Sequence, residues 1–222
     1  MFSHSNNISV VSIEGNIGSG KSTLLNSLKH FYSENTKIIF LNEPVSEWET
    51  IQSKDGENMI EKFYADQEKY SFSFQMMAYI SRLAAIKEAF ENNRDIIIIT
   101  ERSLYTDKFV FAQMLYDDGK IEDVNFQIYA KWFDTFATDY PIDKVVYVKT
   151  DPQVCFDRIG KRSRDGESNI PLVYLKNCDI YHDTLVSQFS KVLELNGNKD
   201  IYKNTRQLDE WLIQLDTYIH NK

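Results

Sequence analysis

Apolar positions fall along this chain in two alternating rhythms. Short β-branched runs are separated by longer stretches whose apolar residues recur at helical spacing. That alternation predicts a parallel sheet with crossover helices, an α/β fold. The expected strands are Ile8–Ile13, Lys37–Leu41, Asp95–Thr100, Lys144–Val148 and Val192–Leu195. The expected helices are Lys21–Tyr32, Asn58–Asn92 with a break near Ala65–Glu68, Asp107–Tyr116, Asp123–Thr138, Asp151–Arg162, Pro171–Phe189 and Thr205–Tyr218. Leu24, Leu25, Leu28 and Phe31 give the first helix one apolar face. The run Asp95–Thr100 is apolar at both parities, which requires cover on both faces and predicts a strand in the middle of the sheet.

Composition narrows the class. A chain of 222 residues and 26.0 kDa suits one α/β domain, and no linker, repeat or low-complexity stretch divides it. With 42% hydrophobic and 26% charged residues, it can bury a core and has no reason to be disordered. Lys and Arg number 25 against 33 Asp and Glu, a net charge of −8. Such a chain lacks the electrostatic footprint of a general nucleic-acid or anionic-membrane binder, so any phosphate ligand needs a local basic cluster. Cys155 and Cys178 stand apart, without metal or disulfide spacing, and His4, His30, His182 and His220 are scattered. The polar start MFSHSNN reads as no leader, and the apolar run Ile96–Ile99 is far too short to cross a bilayer. The expectation is a soluble, cytoplasmic protein.

Chemistry enters at residues 15–22. Gly15-Asn16-Ile17-Gly18-Ser19-Gly20-Lys21-Ser22 matches G-x-x-x-x-G-K-[ST] in full, between an apolar strand and an amphipathic helix. Backbone N–H groups can wrap a phosphate only where side chains leave room, and the following helix N-terminus favours an anion. Lys21 is positioned to reach the β- and γ-phosphates, and the Ser22 hydroxyl to ligate Mg²⁺. A dinucleotide fingerprint fits less well, because the glycine order is wrong and the Lys-Ser pair would be unexplained. The motif indicates nucleoside triphosphate phosphates without naming the reaction. Asn198-Lys199-Asp200-Ile201 puts its aspartate one place early for a guanine-reading element, which favours a small-molecule kinase over a GTPase.

Further groups fall where such a kinase needs them. Glu43 and Glu101 follow expected strands, at the sheet edge where ligands of open α/β folds bind, and Arg102 lies beside Glu101. A carboxylate there can take a hydroxyl proton or serve a metal ion, and the arginine can spread phosphoryl charge. Arg158, Lys161, Arg162 and Arg164 supply the local basic cluster, a candidate lid over about 158–168. Trp48, Tyr64, Tyr70, Phe72, Phe74, Gln75, Tyr79 and Phe111 offer ring faces with an amide among them, the combination that holds and reads a nucleobase. Arg82 is seven residues beyond Gln75 and shares its helical face.

Taken together, the chain resembles the deoxynucleoside kinase family, in particular its deoxycytidine/deoxyguanosine kinase branch. The likeness rests on IEGNIGSGKST (13–23), EPVSEW (43–48), FSFQMMAYISR (72–82), ERSLYTDKFVFA (101–112) and RIGKRSRDGES (158–168) followed by IPLVYL. These run in family order and span most of positions 8–175. The resemblance implies a P-loop kinase fold, a five-stranded parallel sheet flanked by helices on both faces, and transfer of the γ-phosphate of ATP or another NTP to the 5′-hydroxyl of a deoxynucleoside. It implies Glu43 as general base, Arg102 and Lys21 at the transferring group, and Ser22 and Glu101 for Mg²⁺. Residues 15–23, ending at Thr23, with Arg158, Arg162 and Arg164, would hold ATP. Gln75 would read the base between Trp48, Phe74 and Phe111, while Tyr64 and Glu167 would hold the sugar 3′-hydroxyl. A homodimer through a helical bundle is also implied.

Arg82 and Asp107 match the polar pair of the cytidine- and purine-accepting members, which crowds a 5-methyl group. The resemblance therefore implies deoxycytidine or purine deoxynucleosides over thymidine. The chain departs from relatives at Ser163 and Gly166 in the lid and at Phe63 beside the sugar-holding tyrosine. Two alternatives stay open: a thymidylate-type nucleoside monophosphate kinase, and a non-catalytic NTP-binding switch.

Overall fold

The computed structural model describes residues 7–162, 170–199, 201 and 205–221. Five parallel strands form one sheet in the order β2-β3-β1-β4-β5, with β1 Ile8–Glu14, β2 Ile38–Leu41, β3 Ile96–Glu101, β4 Lys144–Lys149 and β5 Val192–Asn196. Helices α1 Lys21–Phe31, α2 Val45–Trp48, α3 Met59–Ala65 and α4 Gln67–Asn92 come first. Then follow α5 Leu104–Thr106, α6 Gln113–Asp117, α7 Asp123–Phe136, α8 Pro152–Arg162, α9 Leu172–Val186 and α10 Thr205–His220. The alternating apolar rhythm thus becomes the expected α/β architecture.

Side-chain alternation on the strands divides the core into two layers. Val11 and Ile13 of β1 pack with Leu24, Leu25 and Leu28 of α1 and with Trp211, Leu215 and Ile219 of α10. Val10, from the same strand, faces the other way onto Tyr79 of α4 and Tyr129 and Phe133 of α7. The amphipathic stripe of α1 supplies the first layer and the aromatic face of α4 the second.

Several boundaries differ from the sequence reading, each for a local reason. The long helical stretch breaks at one residue, Asp66, whose side chain accepts from the Lys69 amide to cap α4. Asn58 starts α3 with a capping box, accepting from the Ile60 and Glu61 amides while Glu61 accepts from its own. Asp95 has a φ of 53° and belongs to the turn before β3. The apolar strand β3 is interior, between β2 and β1, but the middle place goes to β1. Residues 107–116, expected as one α-helix, run as a π-helix over Asp107–Ala112 before α6. The short α2 lies in a stretch for which no element was expected.

This topology places the site. β1 is the strand at which the chain reverses direction across the sheet, and ligands of open α/β folds bind outside the carboxyl ends at such a point. The turns after β1, β2 and β3 carry residues 15–22, Glu43 and Arg102, and β3 itself ends in Glu101.

Candidate active site

The phosphate loop has the backbone its glycines foretold. Gly15, Gly18 and Gly20 have φ of 146°, 77° and 105°. A Cβ on Gly18 would meet the Cys155 carbonyl oxygen at 2.7 Å, so conformation and space both demand glycine there. Lys21 is buried and donates to the Asn16 carbonyl at 2.6 Å. Burial, with Arg102 nearby, lowers its pKa to about 8. The Ser22 hydroxyl donates to Glu101 Oε1 at 2.6 Å. Arg158 Nη1 donates to the Ser19 carbonyl at 3.2 Å, joining α8 to the loop.

A charge cluster stands at the next two strand ends. Arg102 Nη1 lies 2.5 Å from Glu43 Oε1, and Arg82 Nη2 lies 3.4 Å from the same oxygen. Arg82 also donates through Nε to Asp107 Oδ2 at 2.9 Å and through Nη1 to the Glu101 carbonyl at 2.6 Å. Burial alone would raise the Glu43 pKa, but Arg102, Arg82 and Lys21 outweigh it and hold the carboxyl at about 2. For Asp107 burial wins over Arg82, and the carboxyl is pushed up to about 6. Arg102 adopts a φ of 61°, rare for a side-chain-bearing residue, and its guanidinium lies 4.9 Å from the Phe111 ring centre. Its buried Nε has no hydrogen-bond partner among the described residues, a donor left for something else.

Phosphate loop and charge cluster open into one cavity of about 720 Å³, within the range of small-molecule sites. At one end it is lined by 17–23, Arg158, Lys161 and Arg162. In the middle stand Glu43, Glu101 and Arg102, and at the far end Trp48, Tyr64, Phe74, Gln75, Asp107 and Phe111. Phe74 packs edge-on to Trp48 at 5.6 Å and stacks on Phe63 at 4.5 Å, so Phe63 backs the aromatic slot. Trp48 is fixed by donating to the Ser81 hydroxyl at 2.8 Å.

Most candidates from the sequence therefore converge on one space. Gly15 and Asn16 are not among its lining residues: the Asn16 amide donates to the Leu175 carbonyl at 2.8 Å. Arg82 stands behind the wall and meets the cavity lining through Glu43, Asp107 and the Glu101 carbonyl. Arg164 and Glu167 lie outside the described residues. Sequence reading missed three contributions. Gly197, Asn198, Lys199 and Trp211 line the cavity beyond the phosphate loop, but no spacing marks them. Tyr174 also lines it, edge-on to Tyr64 at 6.4 Å. Glu14, fully buried, braces the Arg102 turn, and its place just before Gly15 was the only signal.

The donor set suits a hard cation. Ser22 and Glu101 offer adjacent oxygens. Such a pair fits Mg²⁺, which is held by one or two side chains together with substrate phosphates.

A family model described as "Deoxynucleoside kinase" matches residues 11–220. The chain belongs to the deoxynucleoside kinase family. The "Probable deoxycytidine kinase" of Fowlpox virus is 33% identical over 218 residues, covering 94% of this chain and 87% of that protein. Deoxycytidine kinase of Mus musculus is 32% identical over 234 residues, covering 91% and 89%. Human mitochondrial thymidine kinase 2 is 32% identical over 177 residues, covering 79% of this chain and 63% of that protein. Membership makes the chain an enzyme, a phosphotransferase of nucleoside salvage with ATP as co-substrate.

Proposed function

We propose that this kinase transfers the γ-phosphate of ATP or another NTP to the 5′-hydroxyl of a deoxynucleoside, and accepts deoxycytidine and/or purine deoxynucleosides in preference to thymidine. One observation carries the reading: a single cavity runs from the phosphate loop to an aromatic slot, with Glu43 and Arg102 at the midpoint. A donor's phosphates would lie on residues 15–23, with Lys21 against the β- and γ-phosphates. Arg158, Arg162 and Arg164 would close over them. Ser22 and Glu101 would hold Mg²⁺, which when bound neutralises phosphate charge. A base stacked on Phe111 between Trp48 and Phe74 meets the amide of Gln75. The sugar would then point to Glu43, its 3′-hydroxyl toward Tyr64, with Glu167 as the second holding group that the family resemblance implies.

In the reaction, the 5′-oxygen attacks the γ-phosphorus, the bond to the β-bridging oxygen breaks, ADP leaves, and the hydroxyl proton passes to Glu43. A carboxyl held at about 2 is always ionised at neutral pH, though weakly basic. A weak base suffices, because phosphoryl transfer proceeds through a loose transition state in which positioning matters most and the hydroxyl turns acidic as its oxygen bonds phosphorus. A phosphate that drew Arg102 toward itself would weaken the hold on Glu43 and raise its basicity.

Base preference rests on Arg82 and Asp107. Asp107 lines the far end of the cavity and, ionised at neutral pH, offers an acceptor to an exocyclic amino group, while Arg82 fixes it from behind. Phe63, stacked on Phe74, takes up further room at that end. In the whole molecule, Val124, Ile128, Trp132 and Phe136 expose one apolar stripe of α7, which supports a homodimer. No helix among the described residues is long and apolar enough to cross a membrane, and a cytoplasmic location is part of the same proposal.

The test offers labelled ATP and Mg²⁺ with each of four deoxynucleosides and, separately, their monophosphates. Labelled deoxycytidine or purine deoxynucleoside monophosphate is the expected product, with thymidine poor. Phosphorylation of the monophosphates alone would instead make the chain a monophosphate kinase, and ATP hydrolysis without any acceptor would make it a switch.

A further inference from the structure

Glu14 is the last residue of β1 and immediately precedes the phosphate loop. It is fully buried and lies behind the cavity wall rather than in it. Burying a carboxyl group is unfavourable unless its oxygens are bonded. Here three hydroxyls do so: Ser12 at 2.6 Å and Ser103 at 2.8 Å on Oε1, and Thr106 at 2.6 Å on Oε2. Two of the three come from the turn that carries Arg102.

That turn needs holding. Arg102 sits at a φ of 61°, and strained backbone at a site persists only where its surroundings over-determine it. Its amide donates to the Ile13 carbonyl at 3.0 Å, and its carbonyl accepts from the Thr100 hydroxyl at 2.8 Å. Ser103 and Thr106 cap each other, each hydroxyl accepting from the other's amide at 3.2 Å. Both hydroxyls then donate to Glu14. The end of β1 thus grips the turn through its backbone at Ile13 and through the Glu14 carboxyl.

We infer that Glu14 is a positioning residue: it locks the Arg102 turn to the entry of the phosphate loop, so that the arginine and the donor's phosphates keep one fixed geometry. The inference rests on the reading of Arg102 as the group beside the transferring phosphate. Misplacement of such a group by about 1 Å can cost 10²-fold in rate.

Glu14→Gln keeps the shape but forces one hydroxyl to reverse. Turnover should fall between about 10- and 100-fold while the KM for ATP stays near the wild-type value. In an Arg102→Ala background the same substitution should cost little more, since the group it positions is gone. Thr106→Val should mimic the loss and Thr106→Ser should rescue it, which keeps the test decisive if Glu14→Gln does not fold. Equal turnover in Thr106→Val and Thr106→Ser, or an undiminished Glu14→Gln effect without Arg102, overturns the inference. The assay uses whichever acceptor the wild-type chain phosphorylates, so an error in the acceptor shows in the wild type and an error about Glu14 only in the variant ratios. If no acceptor is found, the NMR signal of the Arg102 guanidinium in the ligand-free chain decides. It should shift in Thr106→Val but hold in Thr106→Ser, and an unmoved signal in both overturns the coupling.

Discussion

Glu43 is ionised and paired in the ligand-free chain, so its value lies in where it stands. Glu43→Gln keeps the volume and removes the proton acceptor. Turnover should fall by at least about 10²-fold, the ordinary size of a general-base contribution, with ATP binding by calorimetry retained. Unchanged turnover would remove Glu43 from the reaction. Lys21 supplies a second test at this scale. Burial and the nearby Arg102 bring its pKa down to about 8, and a phosphate ligand prefers the charged form. Donor capture should therefore be intact below that pH and weaken as pH rises through it. A profile of kcat/KM for ATP between pH 6 and 10 checks this, and a flat profile contradicts it.

At the scale of elements, α4 and the π-helical segment meet across the buried Arg82–Asp107 pair. Replacing both, Arg82→Met with Asp107→Ala, removes the polar edge and opens space for a 5-methyl group. The ratio of thymidine to deoxycytidine kcat/KM should rise by about 10-fold or more, since a site built to hydrogen-bond one base rejects another chiefly through its unpaired polar groups. The ratio is the proper readout, because Arg82 also holds Glu43 and the Glu101 carbonyl and absolute rates will drop. An unchanged ratio refutes the polar-pair argument. What was legible in the sequence follows from range. The strands, α1, the Gly15–Ser22 loop and the strand-end Glu43 and Glu101 are local patterns, fixed by period, glycine spacing or position after a strand. The π-helical turn at Asp107–Ala112 is invisible because one extra residue in a turn leaves the apolar period nearly intact. The Glu14 brace and the cavity wall at Asn198, Lys199 and Trp211 depend on which segments the sheet order brings together, which no local pattern encodes.

At the scale of the molecule, the apolar stripe of α7 is the feature that the chain alone leaves unexplained. Val124, Ile128, Trp132 and Phe136 recur every fourth residue, are 64%, 42%, 44% and 39% exposed, and the last two rings stack at 6.1 Å. Ile80 is also exposed on α4, and α4 reaches α7 where the Tyr79 hydroxyl donates to the Trp132 carbonyl at 3.0 Å. A charge placed in the middle of a buried apolar face is costly, so Trp132→Glu should convert the proposed homodimer to a monomer by sedimentation. The consequence for activity follows from the two faces of α4. Its inner face carries Gln75 and Arg82 and its outer face Ile80, whereas the phosphate loop hangs from β1 and α1. Loss of the partner should loosen the acceptor end alone: KM for the nucleoside rises while KM for ATP holds. An unaltered sedimentation coefficient would show that the stripe is not the interface, and equal movement of both KM values would show that the partner supports the whole site rather than α4.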